Sequence, residues 1–471
     1  MADEVGGGGF EDAGGGEVSS LRVVPLHPEP WLAPQWLPTG EAVVSEFMRV
    51  HGEQFYWVDV AGEFYEWTGQ VWARDERRRV NRLMAELCRL IGSHKKKSVQ
   101  SKLESAGFIA GCAHRVRDEV AGPIEVFDRS EVLNMPGGSV RMDRTDGWSL
   151  LPARREDYCS KMATVTAAGD ELPLLWLAFL ARITDGRQEL IDYLQRLAGY
   201  CCSPYCSEQA FFFFYGTGGN GKGAFLRTLR NILGDYAQNA SLELFVSTKY
   251  ESHPEELASL RGARLVLTSE TEANRSWSEA KIKALTGGDA VRARFMRQNS
   301  FEYSPQFKII VSGNHKPNLG TVDAAMRRRL HVVPFTVEIP LAEQDKKFED
   351  RLRAEYPAIL AWMLDGFVEW RRVGLAPPAC VLGATEDYFD NQDGVAQWLE
   401  TRCDRNDPMA FSSSTELYVS WKAFCDTRGE RPGSCKSFVD RLEGKGLARH
   451  RTGTARGFIG IQVEAANITL Q

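Results

Sequence analysis

The chain has no long hydrophobic run: its most apolar stretch, Leu172–Ala181, is about half the ~20 residues a membrane-spanning helix needs. Cysteine is sparse, ten residues at irregular spacing, which excludes a disulfide scaffold and fits a reducing interior. Neither charge dominates. The 57 Lys and Arg stand against 63 Asp and Glu for a net charge of −6, so any contact with nucleic acid must come from local basic patches. No repeat recurs at a fixed period, which excludes a solenoid or propeller. No secretory leader is visible either, because residues 1–20 are acidic and glycine-rich rather than basic and then apolar. The expectation is a soluble cytoplasmic protein with no membrane contact. What is present is ordinary for folded chains: 43% hydrophobic and 25% charged residues over 471 positions, too long for one hydrophobic core.

The composition shifts along the chain suggest six regions. Residues 1–44, with Gly6–Gly9 and Gly14–Gly16, read as a flexible tail. Residues 45–160 read as a small mixed α/β region with Trp57, Trp67 and Trp72 among short strands. Within it a helix is expected from Arg77 to Ile91, with Leu83, Leu87 and Leu90 at helical spacing, before the basic run His94-Lys95-Lys96-Lys97. Residues 161–208 carry two apolar helical stripes, Leu174, Leu177, Phe179, Leu180 and then Leu190, Ile191, Leu194, Leu197. Residues 209–340 alternate strand and helix patterns, the signature of a parallel α/β core. Residues 341–390 are helical, Asp387–Ala396 reads as a linker, and residues 391–471 form a compact tail.

The α/β core opens on a chemically specific motif. Phe211–Tyr215 is apolar and β-prone, as a buried parallel strand should be. Gly216, Thr217, Gly218, Gly219, Asn220, Gly221 and Lys222 then have the spacing of a phosphate-binding loop, followed by a helix-prone segment through residue 233 and a glycine stop. Glycines let main-chain N–H groups turn toward phosphates, and the helix presents its positive N-terminus to them. One position departs from the pattern: Gly223 stands where Ser or Thr would supply a hydroxyl to Mg²⁺.

Downstream, the apolar strand in Arg261–Glu272 ends in Glu270 and Glu272, candidates to hold Mg²⁺ and activate water. A second strand, Phe307–Ser312, runs into Gly313-Asn314-His315-Lys316-Pro317, where Asn314 could orient an attacking water. Arg327, Arg328 and Arg329 precede a further β-prone stretch and include candidates for an arginine finger. Between the strands lie Lys283 and an alternating segment with Arg292, Arg294 and Arg297 around Phe295, which suits either a DNA-tracking hairpin or an ordinary exposed one.

The tail holds a capped helix from Ser413, a second helix over Ser434–Gly444 and a two-stranded wing over Leu447–Ile461. From Arg428 to Arg456 there are eight basic residues against three acids, a local +5 in an acidic protein. A winged helix-turn-helix contacting duplex DNA through Lys436, Arg441, Arg449 and Arg451 is the reading. Cys201, Cys202 and Cys206 lack a matching ligand pair downstream, so packing is expected there rather than zinc.

Taken together, Gly-Thr-Gly-Gly-Asn-Gly-Lys-Gly, Ser-Glu-Thr-Glu, Lys-Ala-Leu-Thr-Gly-Gly-Asp, Gly-Asn-His-Lys-Pro and Arg-Arg-Leu-His-Val-Val-Pro-Phe resemble the superfamily-three helicases. The likeness is to the helicase half of phage and plasmid primase–helicases and extends over roughly residues 45–465. It implies an AAA+-like core, a helical lid, ATP and Mg²⁺, a homo-hexameric ring and 3′-to-5′ movement on single-stranded DNA. Under it Lys222 holds phosphates, Glu270 and Glu272 supply the metal-binding and water-activating acids, Asn314 is the sensor, and Arg328 or Arg329 is the finger. Lys283 and the Arg292–Arg297 hairpin would face DNA in the ring channel. The family's primase domain would precede this region, so the expectation is a helicase half whose primase is a separate partner, in a bacterial or phage-infected cell. Two other readings stay open: an origin-melting initiator, and a DNA-binding scaffold with a regulatory nucleotide site.

Overall fold

The computed structural model describes residues 30–33, 35–129, 131–142, 146–247, 254–269, 276–319, 324–428, 432–453 and 455–463. The chain divides into two compact units, one from residues 1–55 with 75–120 and one from residues 56–74 with 121–471. The region 45–160, expected as a single piece, therefore contributes to both.

The first unit is helical. Thr39 caps the helix Gly40–His51 by accepting from Ala42 N, so ordered structure starts ahead of the boundary drawn at residue 45. Its apolar face, Val43, Val44 and Phe47, is buried, as are Val80, Met84, Leu87, Cys88 and Ile91 of the helix Arg79–Ser93. A further helix, Ala106–Val120, buries Cys112, Ala113 and Val116. These are 3.6-residue stripes that can only be satisfied by packing together.

The second unit is built around a five-stranded sheet with every neighbouring pair parallel: β1 (Phe211–Tyr215), β2 (Ala237–Asn239), β3 (Leu265–Ser269), β4 (Lys308–Gly313) and β5 (Leu330–Pro334). Its spatial order is β5-β1-β4-β3-β2. Parallel strands covered on both faces read as continuous hydrophobic runs, and β1 shows why. Phe212 and Phe214 join one apolar layer with Phe225 and Leu229, while Phe211 and Phe213 join the opposite layer with Trp277 and Val311.

Four helices of the first layer frame the sheet: α1 (Leu174–Ile183), α2 (Gln188–Cys202), α3 (Lys222–Leu233) and α4 (Tyr356–Val373). α2 and α4 meet through two glycines. A Cβ on Gly199 would lie 2.0 Å from Phe367 N, and one on Gly366 would lie 2.2 Å from Gln195 O, so the backbones touch where neither residue has a side chain. Trp176 of α1 fills the adjoining space, stacked on Phe225 at 5.4 Å and edge-on to Trp362 at 5.7 Å.

The N-terminal ends of β3 and β4 hold two buried cations. Arg264 donates to Cys202 O and Val132 O and lies over the Tyr236 ring at 4.3 Å. Lys308 donates to Ser203 O, Tyr205 O and Gln306 O, and burial pushes its pKa down to about 8. Cys202 and Ser203 end α2, whose last carbonyls lack intrahelical partners and carry the negative end of the helix dipole, so buried cations there are matched by charge and by hydrogen bonds. Cys201 and Cys202 are buried in the core beside them, and Cys206 donates to the carbonyls of Pro305 and Phe307.

The expected linker at Asp387–Ala396 is mostly helical. The helix Ala379–Gln392 continues through it, and Asp393 caps the next helix, Gly394–Arg402, by accepting from Ala396 N at 3.0 Å. The sequence there is polar because the helix is half exposed, not because it is a loop. Beyond it stand the helices Ser414–Arg428 and Cys435–Gly444 and a three-stranded antiparallel sheet of Phe411–Ser413, Arg456–Ile459 and Arg449–Arg451. The expected cap is reciprocal: Ser413 N donates to Glu416 Oε2 at 2.9 Å and Glu416 N donates to Ser413 Oγ at 3.2 Å. Trp398, Trp421, Phe438 and Phe458 form its own core.

Candidate nucleotide site and nucleic-acid surfaces

β1 ends at Tyr215 and α3 begins at Lys222, so the glycine loop connects a buried strand to a helix N-terminus. Three of its glycines hold positive φ: Gly216 at 154°, Gly219 at 75° and Gly221 at 84°. A Cβ on Gly216 would lie 2.1 Å from Phe335 O, and one on Gly221 would lie 2.4 Å from Ile183 Cγ2. Any larger residue there forces the loop off β5 or α1. Asn220 is buried and fixes the loop: its Nδ2 donates to Phe335 O at 3.1 Å while its Oδ1 accepts from Lys222 N at 3.4 Å. Thr217 and Gly218 are exposed on the outer side.

The Lys222 ammonium is folded into the loop it serves. It donates to Gly216 O, to Thr217 O at 3.4 Å and to Asn314 Oδ1 at 3.2 Å. The side chain is buried, and the loss of water pushes its pKa down to about 8. Asn314 reaches it because β1 and β4 are neighbours, with Tyr215 opposite Gly313. On the other side of β4, Ser269 of β3 lies opposite Ser312, so the strand leading to Glu270 and Glu272 ends level with this pair. Glu270 and Glu272 themselves lie outside the described residues.

Beside the loop opens a cavity of about 640 Å³, within the ~300–1,000 Å³ of small-molecule sites. Its wall includes Phe179 and Arg182 of α1, Asn220, Gly223, Arg227 and, from beyond β5, Phe348 and Glu349. Arg227 and Glu349 form a forked pair with two contacts at 3.0 Å, and Arg182 pairs with Glu343 at 2.7 Å. Sequence reading missed this wall. Its signal is faint, since the arginines fall on exposed helical positions and their acids lie more than 100 residues away.

The three arginines before β5 separate clearly. Arg329 is turned inward, donating to Ala325 O and Gln209 Oε1. Arg327 pairs with Glu386 and stacks over Phe389 at 4.9 Å. Arg328 is exposed. Of the two residues expected as a finger, only Arg328 is therefore oriented to reach another molecule.

The segment with Arg292, Arg294 and Arg297 is a hairpin of Val291–Arg294 and Ser300–Tyr303, with Arg292 opposite Glu302. Ala293 and Phe301 are buried in one cluster with Val58, Tyr65 and Trp72 of a small sheet in the same unit and with Phe127 beside it, leaving Arg292 and Arg294 exposed. Arg297 lies in the turn at φ 59°. Lys283 is half-buried, 3.9 Å from Glu279 on its own helix. In the C-terminal region Lys436 and Arg451 are exposed, Arg441 lies over Trp421 at 5.3 Å, and Arg449 is paired with Asp440 and Glu443.

Residues 45–185 match the protein family described as "D5 N terminal like". Residues 214–329, which hold the loop and Asn314, match a "Family of unknown function (DUF5906)". A protein of Acanthamoeba polyphaga mimivirus named "Putative helicase L207/L206" is 27% identical over 244 residues, 47% of this chain and 25% of that protein. The chain thus spans about a quarter of the length of this curated relative. Among solved structures, two apo structures of the NrS-1 C-terminal region each cover 89% of this chain and 99% of theirs, at TM-score 0.48 and 10% and 11% identity. Among the described residues no helix is long and apolar enough to cross a membrane, and no group of three His, Cys, Asp or Glu is placed to hold a metal ion.

Proposed function

We propose that this chain is an ATP-driven DNA helicase of the superfamily-three type, serving replication of a phage, plasmid or integrated element. The observation that carries the reading is the Lys222–Asn314 contact: a loop lysine and a strand-tip amide, 92 residues apart, meet at the ends of adjacent parallel strands. The strand order β5-β1-β4-β3-β2 supports it, since it sets the loop, Asn314 and the strand entering Glu270 side by side. The names borne by the matched family and the mimivirus protein point the same way.

ATP fits the residues present. The cradle has no room for side chains at Gly216 and Gly221, the Lys222 ammonium lies on main-chain carbonyls that a phosphate would replace, and the cavity adjoins it. When bound, ATP supplies the free energy of phosphoryl transfer. The chain's own residues orient it: loop N–H groups and Lys222 hold phosphate oxygens, and Asn314 positions a water. Mg²⁺ fits less well at the helix, because Gly223 offers no hydroxyl, so the metal would rest on Glu270 or Glu272. The hairpin arginines track single-stranded DNA, Lys436 and Arg451 contact duplex DNA through a winged helix, and Arg328 reaches across a homo-hexameric ring. A separate primase is the implied partner.

The test is ATP hydrolysis with and without single-stranded DNA, beside Lys222→Ala, followed by unwinding of 3′- and 5′-tailed duplexes. DNA-stimulated turnover lost in the variant, and unwinding along the 3′ tail, are the expected results. Undiminished turnover in Lys222→Ala refutes the site. Absence of hydrolysis in an oligomeric sample that binds ATP would favour the regulatory scaffold, for which Gly223 is the supporting feature.

A further inference from the structure

Gly223 has a structural counterpart four residues on. Helix side chains lean toward the helix N-terminus, so Arg227 covers the turn that contains Gly223. A Cβ built on Gly223 would lie 2.7 Å from Arg227 Nη1 and 3.3 Å from both Cζ and Nη2. The guanidinium thus occupies the volume that a Ser or Thr side chain would fill. Its Nε and Nη2 are held by Glu349, whereas Nη1 has no hydrogen-bond partner among the described residues. Gly223, Arg227 and Glu349 line the same cavity as Gly219, Asn220 and Gly221.

We propose that Arg227 is a phosphate-binding residue that takes over, in this chain, charge neutralisation otherwise assigned to a helix-bound Mg²⁺. The inference rests on the reading of the loop as a nucleotide site. A cation in the hydroxyl's place repels a divalent ion and attracts a triphosphate, and the planar fork of arginine matches phosphate oxygens in two-point contact. Glu349 occupies that fork in this structure. Phosphate and Glu349 therefore compete for one guanidinium, and Gly223 is the residue that lets it lie there. Restoring serine at 223 does not repair a metal site but displaces Arg227.

The probe is a non-hydrolysable β,γ-imido analogue of ATP, titrated calorimetrically into the full chain in Mg²⁺ and in EDTA. The wild type is expected to bind within about threefold under the two conditions. A charge-assisted hydrogen bond corresponds to about 10- to 100-fold in affinity, so Arg227→Ala should lose at least about tenfold in EDTA and recover part of it with Mg²⁺. Gly223→Ser should move in the same direction. Glu349→Gln should bind more tightly than the wild type, because the competitor is gone; a merely structural ion pair would make it weaken alongside Arg227→Ala. Arg227→Lys, with thermal melts of every variant, separates lost charge from misfolding and should fall between wild type and alanine. Unchanged affinity of folded Arg227→Ala in EDTA overturns the proposal, as does parallel weakening by Glu349→Gln or a wild type that binds only with Mg²⁺. If Lys222→Ala binds as the wild type does, the nucleotide site itself fails; if it loses binding while Arg227→Ala does not, only the role of Arg227 fails.

Discussion

Raising the pH should release nucleotide from this chain well before an ordinary lysine would titrate. Burial pushes the pKa of the Lys222 ammonium down to about 8. Phosphates restore the charged form, so binding takes up a proton whenever the pH lies above that value. If the bound lysine returns to the normal ~10.5, affinity falls about 30-fold between pH 7 and pH 9.5, since each unit is worth about 1.4 kcal/mol. The terminal phosphate titrates near neutrality as well, but equally for every variant, so the lysine's share is the difference between the wild-type and Lys222→Arg profiles. The assay is calorimetric titration of the β,γ-imido analogue at half-unit steps, in two buffers of different ionisation enthalpy, which counts protons directly. About one proton should be taken up per nucleotide at pH 9. Lys222→Arg, charged throughout, should show only the phosphate's own slope and no fall between about pH 8.5 and 9.5. The stability of the free protein should move the other way. A lysine pKa depressed on folding destabilises the fold by up to about 3 kcal/mol below pH 8, and this cost fades as the pH rises from 8 toward 10.5. A wild-type affinity that stays level to pH 9.5 refutes the argument.

Four further outcomes test other parts of the structure. Arg264→Ala removes a buried guanidinium from two carbonyls and a ring face, and should lower unfolding free energy by about 3 kcal/mol in denaturant titrations. Gly199→Ala places a methyl 2.0 Å from a main-chain nitrogen of α4 and should cost at least about 2 kcal/mol, read by the same titration. Replacing Arg292, Arg294 and Arg297 by alanine should leave nucleotide affinity intact while reducing the salt-dependence slope of single-stranded DNA binding by about 2. In the C-terminal region Arg451→Ala should weaken duplex binding more than Arg449→Ala does, because Arg449 already spends its donors on Asp440 and Glu443; fluorescence anisotropy across salt concentrations reads the difference.

What was legible in the sequence was local. Four consecutive phenylalanines before a glycine loop specify a buried strand and a turn that no other residue type satisfies. The Ser413–Glu416 cap and the helix over Cys435–Gly444 follow from patterns spanning a few residues. The misread linker at Asp387–Ala396 fails for a related reason: a half-exposed helix needs few apolar residues, and Asp393 terminates one helix and caps another without a loop. The assignments that stayed ambiguous depend on contacts between distant segments. Arg328 and Arg329 are adjacent and identical in type, and only the fold turns one to solvent and the other toward Gln209, 120 residues away. Helical spacing sets Arg227 over Gly223, but nothing within a helical window shows that Glu349, 122 residues downstream, holds it there.

The two edges of the central sheet explain why lysine is used so differently at each. Lys308 and Lys222 are both buried, both near pKa 8 and both hydrogen-bonded to main-chain carbonyls. Lys308 sits at the N-terminal edge, against the carbonyl end of α2, whose negative dipole supports its charge, and it donates to three main-chain carbonyls. Lys222 sits at the C-terminal edge, where α3 presents its positive end, so helix and ammonium repel and the loop carbonyls only partly offset this. The same residue type is thus satisfied at one edge and frustrated at the other. An anion would relieve the second arrangement and do nothing for the first, and that asymmetry, set by strand direction alone, supports the proposed nucleotide position at the edge holding Asn314 rather than at the edge holding Arg264.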